Sequence, residues 1–210
     1  MARTQKQRML AQELYIAADP TLKKEAKQAK VLLHRFNQLA PEHFSKQQEL
    51  LKQLLGKVGQ NYYIEPPFYC DYGQNTYIGE NFYANTNAIF LDVAKITIGD
   101  NVMFGPRVSL YTAGHPLDPD VRNTGLEFGK EIKIGDNVWL GGNVVVCPGV
   151  TIGANSVIGA GSVVTKDIAK NSIAVGNPCK VLRKLNQKDR EYWQSQRQDY
   201  IAEMGAFISD

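Results

Sequence analysis

Residues 132–168 read IKIGDNVWLGGNVVVCPGVTIGANSVIGAGSVVTKDI, with an aliphatic side chain at Ile134, Leu140, Val146, Ile152, Ile158 and Val164. A helix repeats near 3.6 residues and a strand at 2, so a period of six belongs to neither alone. A hexapeptide can form one short strand and one corner. Three of them close a triangular coil, and the next coil stacks on it at about the 4.8 Å spacing of paired strands. The first residue of each hexad points into the prism, and a small or β-branched residue four positions later (Val138, Val144, Val150, Ser156, Ser162) shares the interior. Gly and Asn in IGDN, IGAN and IGAG serve corners that need unusual backbone angles. The pattern predicts a parallel β-helix in which each coil covers its neighbour's open edge.

Working back from that stretch, the register continues through Leu110, Phe104 and Ile98, slips by two residues near Phe90-Leu91, and resumes at Ala84 and Ile78. Leu110 and Ile134 are separated by a multiple of six, so the phase survives HPLDPDVRNTGLEFGK. That segment loses the hexad and gains Pro116, Pro119, Gly125 and Gly129, which predicts a loop at 115–131 pushed out of the stack. Loops carried on a rigid scaffold are common places for function.

The flanks differ from the centre. Residues 3–59 read as two or three amphipathic helices, with Leu32, Leu33, Phe36 and Leu39, then Leu50, Leu51, Leu54, Leu55 and Val58, at i, i+3, i+4 spacing. Asp19-Pro20 and Ala40-Pro41 punctuate them, because proline fits the first helical position and not the interior. After AVGNPCKVL the chain turns helical again, with Asn186 as a cap and Tyr192, Trp193 and Tyr200 expected to pack and shield the last coil. The organisation expected is therefore a helical cap at 1–60, a β-helix at 61–185 and a C-terminal helix at 186–210.

Composition narrows the function classes. The 210 residues carry 24 basic and 21 acidic side chains, a net +3 that does not mark a nucleic-acid binder. No run approaches the roughly 18 apolar residues of a spanning helix, and the N-terminus lacks the apolar stretch of a signal peptide, so a cytoplasmic protein is expected. Cys70, Cys147 and Cys179 are widely spaced without CxxC, which predicts reduced, mostly buried thiols. GAGSVV has neither GxGxxG nor GK[ST], so nucleotide hydrolysis is disfavoured.

Several motifs in order carry a resemblance: RFNQL, YIEPPFYCDYG, GENFYANTN, YTAGHP, IGDNVWLGG, CPGVTIG, IGAGSVVTKDI and VGNPCKVLRK. The chain resembles the hexapeptide-repeat acyltransferases, and among them the galactoside and maltose O-acetyltransferases. CDYG, LDV and YTAGHP are more similar to the maltose branch. The resemblance implies a left-handed parallel β-helix, a homotrimer with active sites between subunits, acetyl-CoA as donor and a sugar hydroxyl as acceptor, with no metal.

Transfer from a thioester to a hydroxyl needs a base, and the chain has three histidines. His34 and His43 lie in the helical cap among ordinary surface and packing residues. His115, at the mouth of the extruded loop, stands where the family has its catalytic histidine. Asn85 matches the family's active-site asparagine; a plain corner role is its alternative. The galactoside branch has carboxylates where this chain has Ala17 and Val93, so those contacts are not carried over. Asp71 and Asp92 are the candidates for binding acceptor hydroxyls, and each could equally be a corner carboxylate. Trp139, Gly142, Ala160, Thr165, Lys166, Lys180 and Arg183 fall at the family's coenzyme A contact positions. Gly142 replaces a serine of the galactoside branch, and Lys180 replaces an arginine, so a point charge stands in for a bidentate fork.

Two other readings compete. One keeps fold and donor but uses a non-sugar acceptor such as serine or a hydroxylated antibiotic. The other is a silent β-helix scaffold, which explains the hexads but not the loop at His115 or the cations Lys166, Lys180 and Arg183. A metalloenzyme on the same solenoid would need about three clustered histidines, and two of the three lie in the cap.

Overall fold

A computed structural model describes residues 2–205, so the end of the expected C-terminal segment, 206–210, lies outside the described residues. The chain is a parallel β-solenoid with three sheets along its length, preceded and followed by helices. Each coil runs from a first face (such as Ile96–Ile98) through a corner to a second face (Met103–Phe104). It then turns a second corner to a third face (Ser109–Tyr111). All strand pairs between coils are parallel until the last strand, Lys180–Lys184, which returns antiparallel on Ser172–Val175.

The register gives the coil lengths. Tyr83 pairs with Met103, Met103 with Trp139 and Trp139 with Val157, so successive coils take 20, 36 and 18 residues. The expected two-residue slip lies between Phe90 and Ile98, and the same excess separates Cys70 from Ile78 one coil earlier. The long coil carries 18 residues beyond the regular 18, which is why the hexad returns in phase at Ile134.

Every predicted inward residue is buried, from Ile78, Ala84, Phe90, Ile98, Phe104 and Leu110 to Ile134, Leu140, Val146, Ile152, Ile158 and Val164. Val138, Val144, Val150, Ser156 and Ser162 are buried beside them. From the 20-residue coils into the start of the long one the interior holds a run of edge-to-face rings, Phe68 on Phe90, Phe90 on Phe104 and Phe82 on Phe104, with centroids 5.0–6.1 Å apart. The 18-residue coils close on Leu, Val and Ile.

The corner between first and second faces is an asparagine ladder. Asn81, Asn101, Asn137, Asn155 and Asn171 hold φ between 54° and 58°, in the left-handed region that Asn tolerates. Side-chain amides link Asn61 to Asn81, Asn81 to Asn101, Asn101 to Asn137, Asn137 to Asn155 and Asn155 to Asn171 at 2.9–3.3 Å. One residue type thus solves the turn and ties the coils together.

Helix α1 (Gln5–Leu10), α2 (Pro20–Asn37) and α3 (Phe44–Leu54) form the cap. Asp19 caps α2 with Pro20 in its first turn, and Leu33, Phe36, Leu50, Leu51, Leu54 and Leu55 are buried against the first coils. Asn186 caps the C-terminal helix through Lys188 and Asp189 amides, as expected. Shielding by that helix does not occur. None of its residues is buried, and Tyr192, Trp193 and Tyr200 are 58%, 68% and 47% exposed. The antiparallel strand Lys180–Lys184 already pairs the last coil's edge on the second face, so the helix is not needed there. The three cysteines are free. No helix among the described residues is long and apolar enough to cross a membrane.

The ladder makes a prediction about stability. Asn137→Ala loses two amide bonds and places a Cβ-bearing, non-polar residue at positive φ, which costs about 2 kcal/mol in equilibrium denaturation. Asn137→Gly removes the backbone strain and should recover about half of that loss.

Candidate active site

The corner between third and first faces is where the regular coil is enlarged. Asp92 sits in the two-residue slip and is fully buried. Its Oδ1 accepts from the amides of Asp71 (3.2 Å) and Tyr72 (2.8 Å), and its Oδ2 accepts from the Thr76 hydroxyl (3.2 Å). Burial pushes the carboxyl up to about 6, helped by the charge of Asp71 and opposed by the Tyr72 and Gly73 amides and the Thr76 hydroxyl. The structure gives Asp92 the corner role, fastening the slip of the preceding coil. Asp71 is only partly buried and faces the loop; burial, and then the nearby Glu127, raise its carboxyl while Lys30 opposes them.

One coil further on, the chain leaves the same corner after Tyr111. The extruded segment is not irregular. Ala113–Gly114 and Leu126–Gly129 pair antiparallel, with a short helix at Pro119–Arg122 capped by Asp118 at the tip. Leu126–Gly129 pairs on its other side with Tyr15–Ile16, a two-residue strand from the cap that the helical reading of 3–59 did not anticipate. Loop and cap therefore share one three-stranded sheet.

The register of that sheet builds the site. Ala113 faces Gly129 and Gly114 faces Phe128, so the next step places His115 opposite Glu127, and Glu127 is itself paired with Tyr15. Directly opposed residues of antiparallel strands project to the same side. The Glu127 Oε2 lies 3.9 Å from His115 Nε2, an ion-pair contact longer than a hydrogen bond. The imidazole is 60% exposed and the carboxylate 17%. His34 and His43 are exposed on the cap. Glu127 was not singled out in the sequence, because it carries no hexad signal and becomes His115's partner only when the loop pairs as a hairpin.

Asn85, Gly142 and Ala160 share the other corner, between second and third faces, with Gly105, Gly141, Gly159 and Gly161. Coils meet here backbone to backbone: a Cβ on Gly105 would lie 2.6 Å from the Gly142 nitrogen, and one on Gly141 2.6 Å from that of Ala160. The result is an edge where the small residues Gly142, Ala160 and Gly161 leave the backbone open, with Arg107 and Asn143 exposed beside them. The Asn85 Oδ1 accepts from the Thr86 amide at 2.8 Å, which leaves its NH2 group to donate. Trp139 projects from the second face and is 51% exposed, in the outward column Tyr63, Tyr83, Met103, Trp139. Thr165 and Lys166 are exposed at the loop corner, and Lys180 and Arg183 on the terminal strand.

Arg183 is engaged by a group the sequence reading did not weigh. Its guanidinium donates to both carboxylate oxygens of Asp189, in the first turn of the C-terminal helix, at 2.6 and 2.7 Å. That pairing, with the Asn186 amide, holds the Asp189 carboxyl down to about 2. An anion approaching Arg183 competes with this carboxylate. Among the described residues no cluster of His, Cys, Asp or Glu is arranged to hold a metal ion.

Comparison with known proteins agrees with this architecture. Residues 8–59 match the maltose acetyltransferase hexapeptide capping motif, and residues 131–166 match the bacterial transferase hexapeptide of six repeats. A galactoside O-acetyltransferase of Lactococcus lactis is 48% identical over 87% of this chain and 88% of its own. The crystal structure of a maltose O-acetyltransferase from Clostridium difficile 630 superposes with a TM-score of 0.88 at 52% identity, covering 89% of this chain and 100% of that one. A galactoside acetyltransferase in complex with coenzyme A superposes with a TM-score of 0.87 at 43% identity, covering 90% and 94%.

The buried Asp92 predicts a pH effect on stability. Its raised folded value, about 6, means that the fold favours the protonated form. The contribution is therefore complete below the unfolded carboxyl value and is lost as pH rises through about 6. Relative to Asp92→Asn, which does not titrate, the wild type should lose about 2 kcal/mol between pH 4 and 7 in denaturant titrations.

Proposed function

Because the chain belongs to the hexapeptide-repeat O-acetyltransferases of the galactoside and maltose type, we propose that it transfers the acetyl group of acetyl-CoA to a hydroxyl of a mono- or disaccharide in the cytoplasm. The observation that carries this reading is the His115–Glu127 pair, presented by an extruded hairpin on the solenoid.

Acetyl-CoA supplies the acyl group already activated as a thioester. His115 takes the proton of the acceptor hydroxyl as its oxygen attacks, and returns it to the departing sulfur. Imidazolium forms in between, and the Glu127 carboxylate on its flank stabilises that charge. The Asn85 NH2 group, left free by the Thr86 bond, donates to the substrate. Asp71, facing the same loop, is a candidate for accepting an acceptor hydroxyl. Asp92 spends its oxygens inside the corner and supports that wall indirectly.

For the donor, the open edge at Gly142 and Ala160 suits a pantetheine arm lying close to the backbone, with Trp139 as an exposed apolar surface alongside. Lys166, Lys180, Arg183 and the Thr165 hydroxyl would meet phosphates and polar groups, Arg183 by exchanging Asp189 for phosphate.

These groups do not share one corner. Asn85, Gly142 and Ala160 stand at one end of the third face and His115, Thr165 and Lys166 leave from the other. A strand such as Ala88–Leu91 lies between the corners, a separation of more than about 10 Å at 3.3 Å per residue. A site using both sets is completed by a second copy of the chain, and the exposed Met103 and Trp139 of the outward column, with half-buried Tyr63 and Tyr83 beside them, support such contact. A homotrimer satisfies every corner in this way.

Thiol release from acetyl-CoA should be seen with glucose, maltose or a galactoside and should exceed that with serine or chloramphenicol. His115→Ala, folded and assembled, should lower kcat by roughly 10²–10⁴. Normal turnover by that variant would remove His115 from the reaction, and release with serine alone would move the acceptor to a non-sugar class.

Shared sites predict complementation. His115→Ala and Asn85→Ala subunits, each weak alone, should regain about a quarter of wild-type activity when co-refolded in equal amounts, because one interface in four receives both intact residues. No recovery in verified mixed trimers would place each site within one subunit.

A further inference from the structure

We propose that Tyr15, from the N-terminal cap, is a positioning residue for the reaction: its buried hydroxyl holds Glu127 so that the second carboxylate oxygen stays aimed at His115. The inference rests on the reading of His115 as base and adds a residue from outside the β-helix.

The observations are geometric. Tyr15, Glu127 and His115 occupy one rung across the three-stranded sheet, with Glu127 in the middle strand. Tyr15 Oη donates to Glu127 Oε1 at 2.6 Å, in the short range of hydroxyl–carboxylate bonds. The other oxygen, Oε2, is the one facing His115. One carboxylate thus bridges a buried donor on one side and the imidazole on the other.

Tyr15 has little freedom to do otherwise. It is fully buried in a small cluster with Met9, Leu22 and Val93, separate from the main core. Burial, the bond to Glu127 and the neighbouring Tyr72 and Asp71 all raise its phenol, so it remains a donor. A buried donor needs its acceptor, and Glu127 is the one this hydroxyl has in the structure. Glu127 needs such a tether because Asp71 lies nearby and two carboxylates repel. On the adjacent rung the Phe128 ring lies close over Gly114, where an added Cβ would come within 2.8 Å, so the hairpin cannot slide easily past itself.

The cap then has a catalytic consequence besides covering the first coils. Arg8 of α1 donates to the Leu14 carbonyl at 2.6 Å, and the Gln5 side chain accepts from the Ile16 amide at 2.8 Å. Both bonds hold the strand that carries Tyr15. The N-terminal turn of the chain therefore positions the carboxylate beside a histidine roughly a hundred residues later.

The test is a double-mutant cycle in the full-length assembled protein, read by thiol release with separate kcat and KM. Tyr15→Phe removes one oxygen and keeps the packing; it should lower kcat about tenfold with donor KM unchanged. Glu127→Gln should lower kcat at least as much. If Tyr15 acts through Glu127, the double variant is no slower than Glu127→Gln within about twofold. Multiplied losses in the double variant, or an unchanged kcat in Tyr15→Phe, would overturn the proposal. Should Tyr15→Phe be too unstable to assay at the usual temperature, the same cycle is read at a lower one with Tyr15→His, whose ring cannot place a donor at the same point. An unchanged kcat in that variant, or losses that multiply when it is combined with Glu127→Gln, equally overturns it. Failure of the base reading is distinct, since His115→Ala would then retain turnover irrespective of Tyr15.

Discussion

Coil-on-coil backbone pairing is the constraint on which the rest of the structure depends. Parallel strands on three faces hold each hexad directly over its equivalent in the coil before, so residues at one hexad position become columns. The asparagine ladder, the glycine-rich corner and the outward column on the second face are three such columns. A residue that suits one corner suits all of them, which is why the sequence is repetitive. The same stacking leaves little room for variation, because a Cβ at Gly105 or Gly141 would meet the next backbone at 2.6 Å.

The candidate site lies where the repetition is broken. The enlarged corner takes two additional residues in two coils and 18 in a third, and the buried carboxylate of Asp92 secures the first of these enlargements. The extruded segment pays for leaving the stack by forming its own antiparallel pairs, internally and with Tyr15–Ile16. Those pairs satisfy its backbone and bring a carboxylate to a histidine. The cap and the loop consequently form one unit although most of the β-helix lies beside them.

The hexad residues, the inward partners at the fifth position, the cap's amphipathic helices and the Asn186 cap were all legible in the sequence, because each depends on neighbours within a few positions. His115 was legible by resemblance, and by its place at the edge of a loop that interrupts the repeat. Glu127 and Tyr15 were not, since their pairing spans 112 positions and neither follows a local period. Asp92 read equally as a ligand or a corner group, and burial with three donors decides for the corner. The C-terminal helix was correctly placed but wrongly packed: its aromatic residues suggested a buried side, and the terminal antiparallel strand had taken the edge it was expected to cover.

The sequence by itself therefore determined the solenoid, its coil lengths and the point at which it opens. A six-residue repeat has one efficient way to bury its aliphatic position and satisfy its backbone, so local pattern and global fold coincide. Tertiary structure alone decided which carboxylate stands beside His115, that Arg183 is held by Asp189, and that the candidate residues are divided between two corners. These follow from antiparallel registers and ion pairs formed after the chain has folded back on itself. Only the folded chain's register brings those partners together.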